Sequence, residues 1–249
     1  MAAVSRRPRV VWSGLAQRCI WLPFRDLAPK VLEILESHGY GGGFIEDMLN
    51  PPPSISAAQA LVLESLGETI PSFSEALDEI LGGGVALGKL IQVCGSPGSG
   101  KTQFVLQLCV DVQIPNVIEG LEGEAVIIDT ECSFTVSRFR EIADGVVRHC
   151  RRLAEANNIT ESIENFTVDS VLNGVHYTSA TSFEKFTSLV HCLKSFLETH
   201  PRVKLIVIDS FVFPFLSMTN TLERTRRACV IINKLCDLAR KHLIAAMRL

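Results

Sequence analysis

Three short runs of the chain are apolar at nearly every position: 90–94 (Leu-Ile-Gln-Val-Cys), 125–129 (Ala-Val-Ile-Ile-Asp) and 203–210 (Val-Lys-Leu-Ile-Val-Ile-Asp-Ser). Runs of this length without polar alternation predict strands buried on both faces. Between them the spacing changes to that of amphipathic helices, over about 103–110, 137–156, 183–197 and 222–242. A polar connection at 157–164 leads to a further short strand near Val175-His176-Tyr177, and 243–249 reads as the start of one more. Strands alternating with helices predict an α/β fold, a mostly parallel sheet with helices on both faces. Such sheets hold ligands at the carboxyl ends of their strands.

Ahead of this core the pattern is weaker. Residues 1–25 read as a basic tail, with Arg6, Arg7, Arg9, Arg18 and Arg25, both tryptophans and no acidic residue. A disordered tail, an organelle transit sequence and a basic arm for phosphate backbone all have this composition. Residues 26–66 read as a small helical unit. Val31, Leu32, Ile34 and Leu35 line one helix face, Gly41-Gly42-Gly43 makes a turn and Pro51-Pro52-Pro53 a stiff break. Ser56 then caps a helix carrying Ala57, Leu61, Leu63 and Leu66. Here Glu33, Glu36, Glu46, Asp47 and Glu64 outnumber Lys30, so packing or partner binding stands at least level with DNA-backbone binding. The core domain spans 67–249. Its entry at 73–81 reads as a short amphipathic helix stopped by Gly82-Gly83-Gly84, and Gly88 turns the chain into the first core strand.

The strand at 90–94 and the helix after it enclose Gly95-Ser96-Pro97-Gly98-Ser99-Gly100-Lys101-Thr102, which has the P-loop pattern in its proper strand–loop–helix setting. Glycines let the backbone curl so that its N–H groups converge on phosphate oxygens, and the helix start adds its positive dipole end. In this arrangement Lys101 reaches the terminal phosphates and the Thr102 hydroxyl ligates Mg²⁺. An accidental glycine-rich turn is the alternative, and the correct flanks count against it.

Composition removes several classes. With 249 residues, 47% hydrophobic and 20% charged, the chain has room for one large α/β domain and a small appendage. A net charge of −3 confines any nucleic-acid site to a local patch. No run approaches the roughly eighteen apolar residues of a membrane span. The eight cysteines form no C-x-x-C pair and read as reduced, mostly buried thiols of an intracellular protein. The six histidines form no metal-ligand motif.

Two acids end the buried strands. Asp209 is either the carboxylate that holds Mg²⁺ through water or a helix-capping or loop acid. Glu131 is either a carboxylate that orients and deprotonates a water attacking the γ-phosphate or a helix-start acid paired with the dipole. Arg138 either contacts a nucleobase or phosphate, or is a solvated helix residue, the reading that spacing alone favours. The basic last quarter, with Arg224, Arg226, Arg227, Lys234, Arg240, Lys241 and Arg248, reads first as a solvated helix face and second as a local nucleic-acid face.

Several of these stretches together resemble the eukaryotic and archaeal RecA-type (RadA-like) recombinases. The resemblance rests on residues 77–85 (Leu-Asp-Glu-Ile-Leu-Gly-Gly-Gly-Val), on the P-loop followed by Gln103, and on Ile127-Ile128-Asp129-Thr130-Glu131 with Phe134 and Arg138. Leu205-Ile206-Val207-Ile208-Asp209-Ser210 completes it. Within the family the chain is most similar to the C-paralogue branch of the Rad-fifty-one recombinases, by residues 110–115 and Phe213-Pro214-Phe215. The resemblance covers about 26–246 and implies a RecA-like P-loop core. It also implies ATP and Mg²⁺ at 95–103, Glu131 and Lys101 as catalytic groups, Thr102 and Asp209 at the metal, and Arg138 near the adenine.

The implied function is homologous-recombination repair of DNA double-strand breaks in the nucleus, with a mitochondrial pool allowed by the Arg-rich start. The implied partners are other recombinase paralogues, the main strand-exchange recombinase, and single-stranded or branched DNA. Two readings follow: a DNA-dependent ATPase, and an assembly subunit whose ATP pocket is structural. A small-molecule kinase would want an arginine-rich lid, which is not evident.

Phe73-x-x-Ala76 matches the recombinase polymerisation pattern, but its register falls on the entry helix, so core packing is expected. The chain departs from the family in two places. Cys132 stands where the family has glycine, and the last strand stops at 249 where the family continues into a sensor, a second DNA-binding loop and more strands. A chain truncated there is expected to be marginally stable or to need a partner, with turnover in question.

Overall fold

The computed structural model describes residues 55–65 and 67–249. The expected basic tail at 1–25 and, of the expected helical unit at 26–66, residues 26–54 and 66 lie outside these residues. The chain divides into two compact units, Met1–Leu66 and Gly67–Leu249. In the first, helix α1 (Ala57–Ser65) starts on a reciprocal cap. The Gln59 N–H donates to Ser56 Oγ at 3.2 Å, and the Ser56 N–H donates to Gln59 Oε1 at 2.8 Å.

The second unit opens with a two-residue strand, β1 (Thr69–Ile70), then α2 (Glu75–Leu81) and β2 (Val85–Ala86), which pairs antiparallel with β1. Strands this short carry no periodicity, so the ribbon is invisible in the sequence. The entry helix corrects one expectation. Phe73 is 43% exposed and α2 buries none of its residues, so Phe73-x-x-Ala76 does not pack into the core. Two turns of helix are instead tied down locally. The Ser72 N–H donates to both Asp78 carboxylate oxygens at 3.0 and 3.1 Å, and Phe73, at φ 56°, meets His149 edge-on at 5.3 Å.

The remaining elements form the core. They are β3 (Leu90–Gln92), α3 (Lys101–Asp111), β4 (Glu124–Asp129), α4 (Val136–Ala156), α5 (Val168–Asn173) and β5 (Val175–Ser179). After them come α6 (Phe183–Thr199), β6 (Val203–Asp209), α7 (Thr221–His242) and β7 (Ala245–Arg248). The five strands pair in parallel in the order β3-β7-β6-β4-β5. Successive side chains on a strand point to opposite faces, and the helices divide accordingly. Ile127, Leu205 and Val207 pack with Val105 and Leu108 of α3 and with Phe139, Ala143 and Val147 of α4. Val126, Ile128, Ile206 and Ile208 pack with Phe186 and Val190 of α6 and with Leu235 and Leu238 of α7. Each large side chain removed from water contributes about 1.5–3 kcal/mol, so the two clusters carry the fold.

Helix α5 falls in a stretch with no resolvable helical period. Its start is set by a capping box, Thr167 Oγ1 accepting from the Ser170 N–H at 3.1 Å while Ser170 Oγ accepts from the Thr167 N–H at 2.8 Å. The expectation of mostly buried thiols is also corrected. Among the described residues Cys109 and Cys150 are buried, but Cys94, Cys132, Cys192 and Cys229 are exposed and Cys236 is intermediate; all are free. The exposed ones sit in loops or on outward helix positions, where a neighbouring apolar run does not cover them.

Candidate nucleotide site

The carboxyl ends of β3, β4 and β6 meet at the loop that leads into α3. Residues 95–100 of this loop are exposed, and two of its glycines take left-handed φ values. Gly100 caps α3 at φ 88°, a left-handed conformation, and a Cβ on Gly95 would fall 2.6 Å from Ser99 Oγ. Gly98 takes φ 78° between Ser96-Pro97 and Ser99. The Ser99 N–H closes the turn on the Ser96 carbonyl at 3.2 Å. Lys101 Nζ donates to the carbonyls of Gly95 and Ser96 at 3.0 and 3.1 Å, so its ammonium lies over the concave side of the loop. No side chain caps α3, and its first turn holds no acid. Its leading N–H groups and its dipole therefore face an anion position without competition.

Thr102 and Asp209, a hundred and seven positions apart, are in direct contact: the Thr102 hydroxyl donates to Asp209 Oδ2 at 2.8 Å. Asp209 ends β6 in register with Asp129 at the end of β4. Its carboxyl is raised above the usual range by burial. The Thr102 hydrogen bond opposes this, Glu131 and Asp129 add to it, and Lys101 opposes it. A divalent cation would relieve this crowding of negative charge, and the donors on offer are hard oxygens suited to Mg²⁺. Among the described residues no group of three or more His, Cys, Asp or Glu side chains is disposed to hold a metal ion. The oxygen donors brought together here are Thr102 and Asp209, and an ion beside them would draw the rest of its shell from phosphate and water. The residues present fit Mg²⁺ with a nucleotide.

Glu131 follows β4 and is exposed. Its loop is organised by Asp129, which is 1% exposed and whose carboxylate accepts the N–H groups of Glu131 (3.1 Å), Ser133 (3.2 Å) and Phe134 (2.9 Å). Tyr177 on β5 also donates to it at 3.3 Å while its ring stacks on Phe134 at 4.9 Å. Helix α4 begins only at Val136 and has no acid in its first turn, so Glu131 is not placed as a helix-start acid. Cys132, beside Glu131, takes φ 56°, the left-handed region in which glycine is at ease.

Arg138 and Gln103 are brought together: Arg138 Nε donates to Gln103 Oε1 at 2.7 Å, and its Nη1 pairs with Glu141 at 2.8 Å. With its side chain half exposed, Arg138 flanks the first turn of α3. The sequence gives Asp129, Thr130 and Tyr177 no role of their own. The signal for the first two was their place in the Ile127–Glu131 stretch, immediately before Glu131. Tyr177 lies 48 positions from Asp129 and had none. The loop is an open cradle. A separate cavity of about 540 Å³ lies between α6 and α7, lined by Phe183, Thr187, His191 and Arg227, and includes none of these residues.

Residues 68–160 match the Rad51 family. The chain is 37% identical over 196 residues to DNA repair protein RAD51 homolog 3 of Cricetulus griseus, covering 77% of this chain and 54% of that protein. It is 35% identical over 195 residues to the protein of the same name from Dictyostelium discoideum, covering 78% and 51%. The chain thus spans about half the length of the curated relatives it matches.

Proposed function

Because the chain belongs to the Rad51 family, in the neighbourhood of RAD51 homolog 3, we propose that it binds Mg·ATP at the 95–102 loop and serves recombination repair of DNA double-strand breaks as a recombinase paralogue. The observation that carries this reading is the 2.8 Å bond between Thr102 and Asp209, which joins the phosphate loop to the acid of β6 in one mouth. In this mouth the leading N–H groups of α3 and the Lys101 ammonium bind the phosphates, and Thr102 and Asp209 hold the cation. Bound Mg²⁺ supplies charge neutralisation on the phosphate oxygens. Glu131, on the loop anchored by Asp129, orients a water and takes its proton. Arg138, kept in place by Gln103 and Glu141, lies beside the base. The domain plan accompanying this reading is a basic tail over 1–25, a helical unit over 26–66 and the ATP-binding core over 67–249.

The relatives are named as DNA repair proteins. For this chain the proposal includes a setting in the nucleus, contacts with DNA, and assembly with other Rad51-family members. A second reading, an assembly subunit with a structural ATP pocket, draws on β5. Among the described residues this strand is at an edge of the sheet, and Tyr177 upon it is 47% exposed beside the Asp129 anchor.

Thermal melts with and without Mg·ATP test the site. At a nucleotide concentration a hundredfold above Kd, binding adds about 2.7 kcal/mol, a rise in Tm of roughly 5–10 °C for a domain of this size. Lys101→Ala is expected to remove that rise, and equal rises in both proteins would refute the nucleotide reading. DNA-stimulated phosphate release that depends on both Glu131 and Lys101 supports the ATPase; Mg·ATP binding without release supports the assembly subunit.

A further inference from the structure

Thr130 lies between the Asp129 anchor and Glu131 and is fully buried. Its hydroxyl makes two bonds to one residue across the sheet: Oγ1 donates to the Ser210 carbonyl at 2.7 Å and accepts from the Ser210 N–H at 2.9 Å. Its own N–H donates to the Asp209 carbonyl at 2.8 Å. Residue 130 therefore grips the 209–210 backbone at three points, just where β6 ends and its carboxylate must turn toward Thr102. One buried hydroxyl thus satisfies the N–H and the carbonyl of Ser210, which belong to the two peptide groups flanking that residue, so shifting either group would break a hydrogen bond.

We propose that Thr130 is a positioning residue for the metal: its hydroxyl locks the Ser210 backbone and thereby aims the Asp209 carboxylate at the cation that Thr102 shares. The same residue is bonded to Glu131 along the chain, so one hydroxyl sets the spacing between the two acids. The inference rests on the Mg·ATP reading above. It assigns the metal dependence of nucleotide affinity to a side chain that touches neither metal nor nucleotide.

The test is equilibrium titration of the protein with ATP, once with Mg²⁺ and once with EDTA. In the wild type, Mg²⁺ is expected to tighten binding roughly tenfold, the equivalent of a single well-aimed charged contact. Thr130→Val keeps the shape and removes both hydroxyl bonds. It should leave the affinity in EDTA unchanged and reduce the Mg²⁺ gain to about twofold or less, while Thr130→Ser restores the gain. Val190→Ala, which opens a cavity among the α6 side chains, serves as a control for lost stability and should keep the gain. If Thr130→Val does not fold, Thr130→Ala, which leaves room for a water, carries the same expectation. Full retention of the Mg²⁺ gain in the hydroxyl-free variant overturns the proposal. If the wild type binds ATP in neither condition, or Lys101→Ala binds as well as wild type, the nucleotide reading itself fails, and this inference with it.

Discussion

Asp111 offers a quantitative test of how the core is built. It sits at the end of α3 with no solvent exposure. One carboxylate oxygen accepts from Gln107 Nε2 at 2.7 Å, and the other is buried without a hydrogen-bond partner. Burial pushes its carboxyl from 3.8 up to about 8; the Gln107 bond opposes this and the charge of Asp78 adds to it. The folded protein therefore keeps a proton that the unfolded chain has already released. The associated stability is fully present below about pH 4 and is lost as the pH rises toward 8. At about 1.4 kcal/mol per pH unit, the loss across that window is on the order of 5 kcal/mol, a large part of a domain's total stability.

Asp111→Asn has nearly the same shape, keeps an acceptor for Gln107 and has no proton to lose. Guanidinium melts of both proteins at pH 5 and pH 8 check the argument. The variant should gain on the wild type by roughly 3–4 kcal/mol between those two values, because titrations elsewhere are common to both and cancel. Parallel pH profiles would refute the reasoning and would mean that Asp111 is solvated or paired in solution.

Cys132→Gly relieves a left-handed φ that costs a non-glycine residue about 1–2 kcal/mol, partly offset by glycine's entropy, so the variant should be more stable by about 0.5–1 kcal/mol in chemical denaturation. Thiol labelling in the native state should be fast at Cys94, Cys132, Cys192 and Cys229 and slow at the buried pair. Burial and the charge of Asp111 raise the Cys109 thiol far above its usual range and push Cys150 up to about 11; equal labelling by mass spectrometry would contradict the packing. At the opposite end of the sheet Glu124 pairs with His176 at 2.9 Å and with Arg202. Burial raises its carboxyl, but His176 and Arg202 together outweigh this and hold it below the usual range. Its contribution is therefore present above about pH 4.5 and lost on acidification. Glu124→Gln should cost about 1–2 kcal/mol at pH 7, a gap that closes in melts below pH 4.

The order of elements in the core was legible from hydrophobic patterning, because strands buried on both faces and helices with one wet face leave different periods in the chain. The glycine-rich loop at 95–102 was legible for a different reason. Its glycines and Lys101-Thr102 are contiguous, so the backbone geometry they demand is local. Helix α5 and the β1–β2 ribbon were not legible, since elements of two to six residues hold too few positions to show a period. Core packing was expected of residue 73 from its register on the entry helix, whereas the left-handed turn at Phe73 and the Ser72–Asp78 bonds leave its ring exposed.

The sequence by itself determined the parallel sheet, the glycine-rich loop between β3 and α3, and the places of Glu131 just after β4 and Asp209 at the end of β6, since each depends on neighbours along the chain. Only the tertiary structure decided how these acids are held. Thr102 meets Asp209, Thr130 grips Ser210 and Tyr177 reaches Asp129 across separations of 48 to 107 positions. Such contacts are set by strand order and register, which place distant residues side by side without leaving a trace in the local pattern.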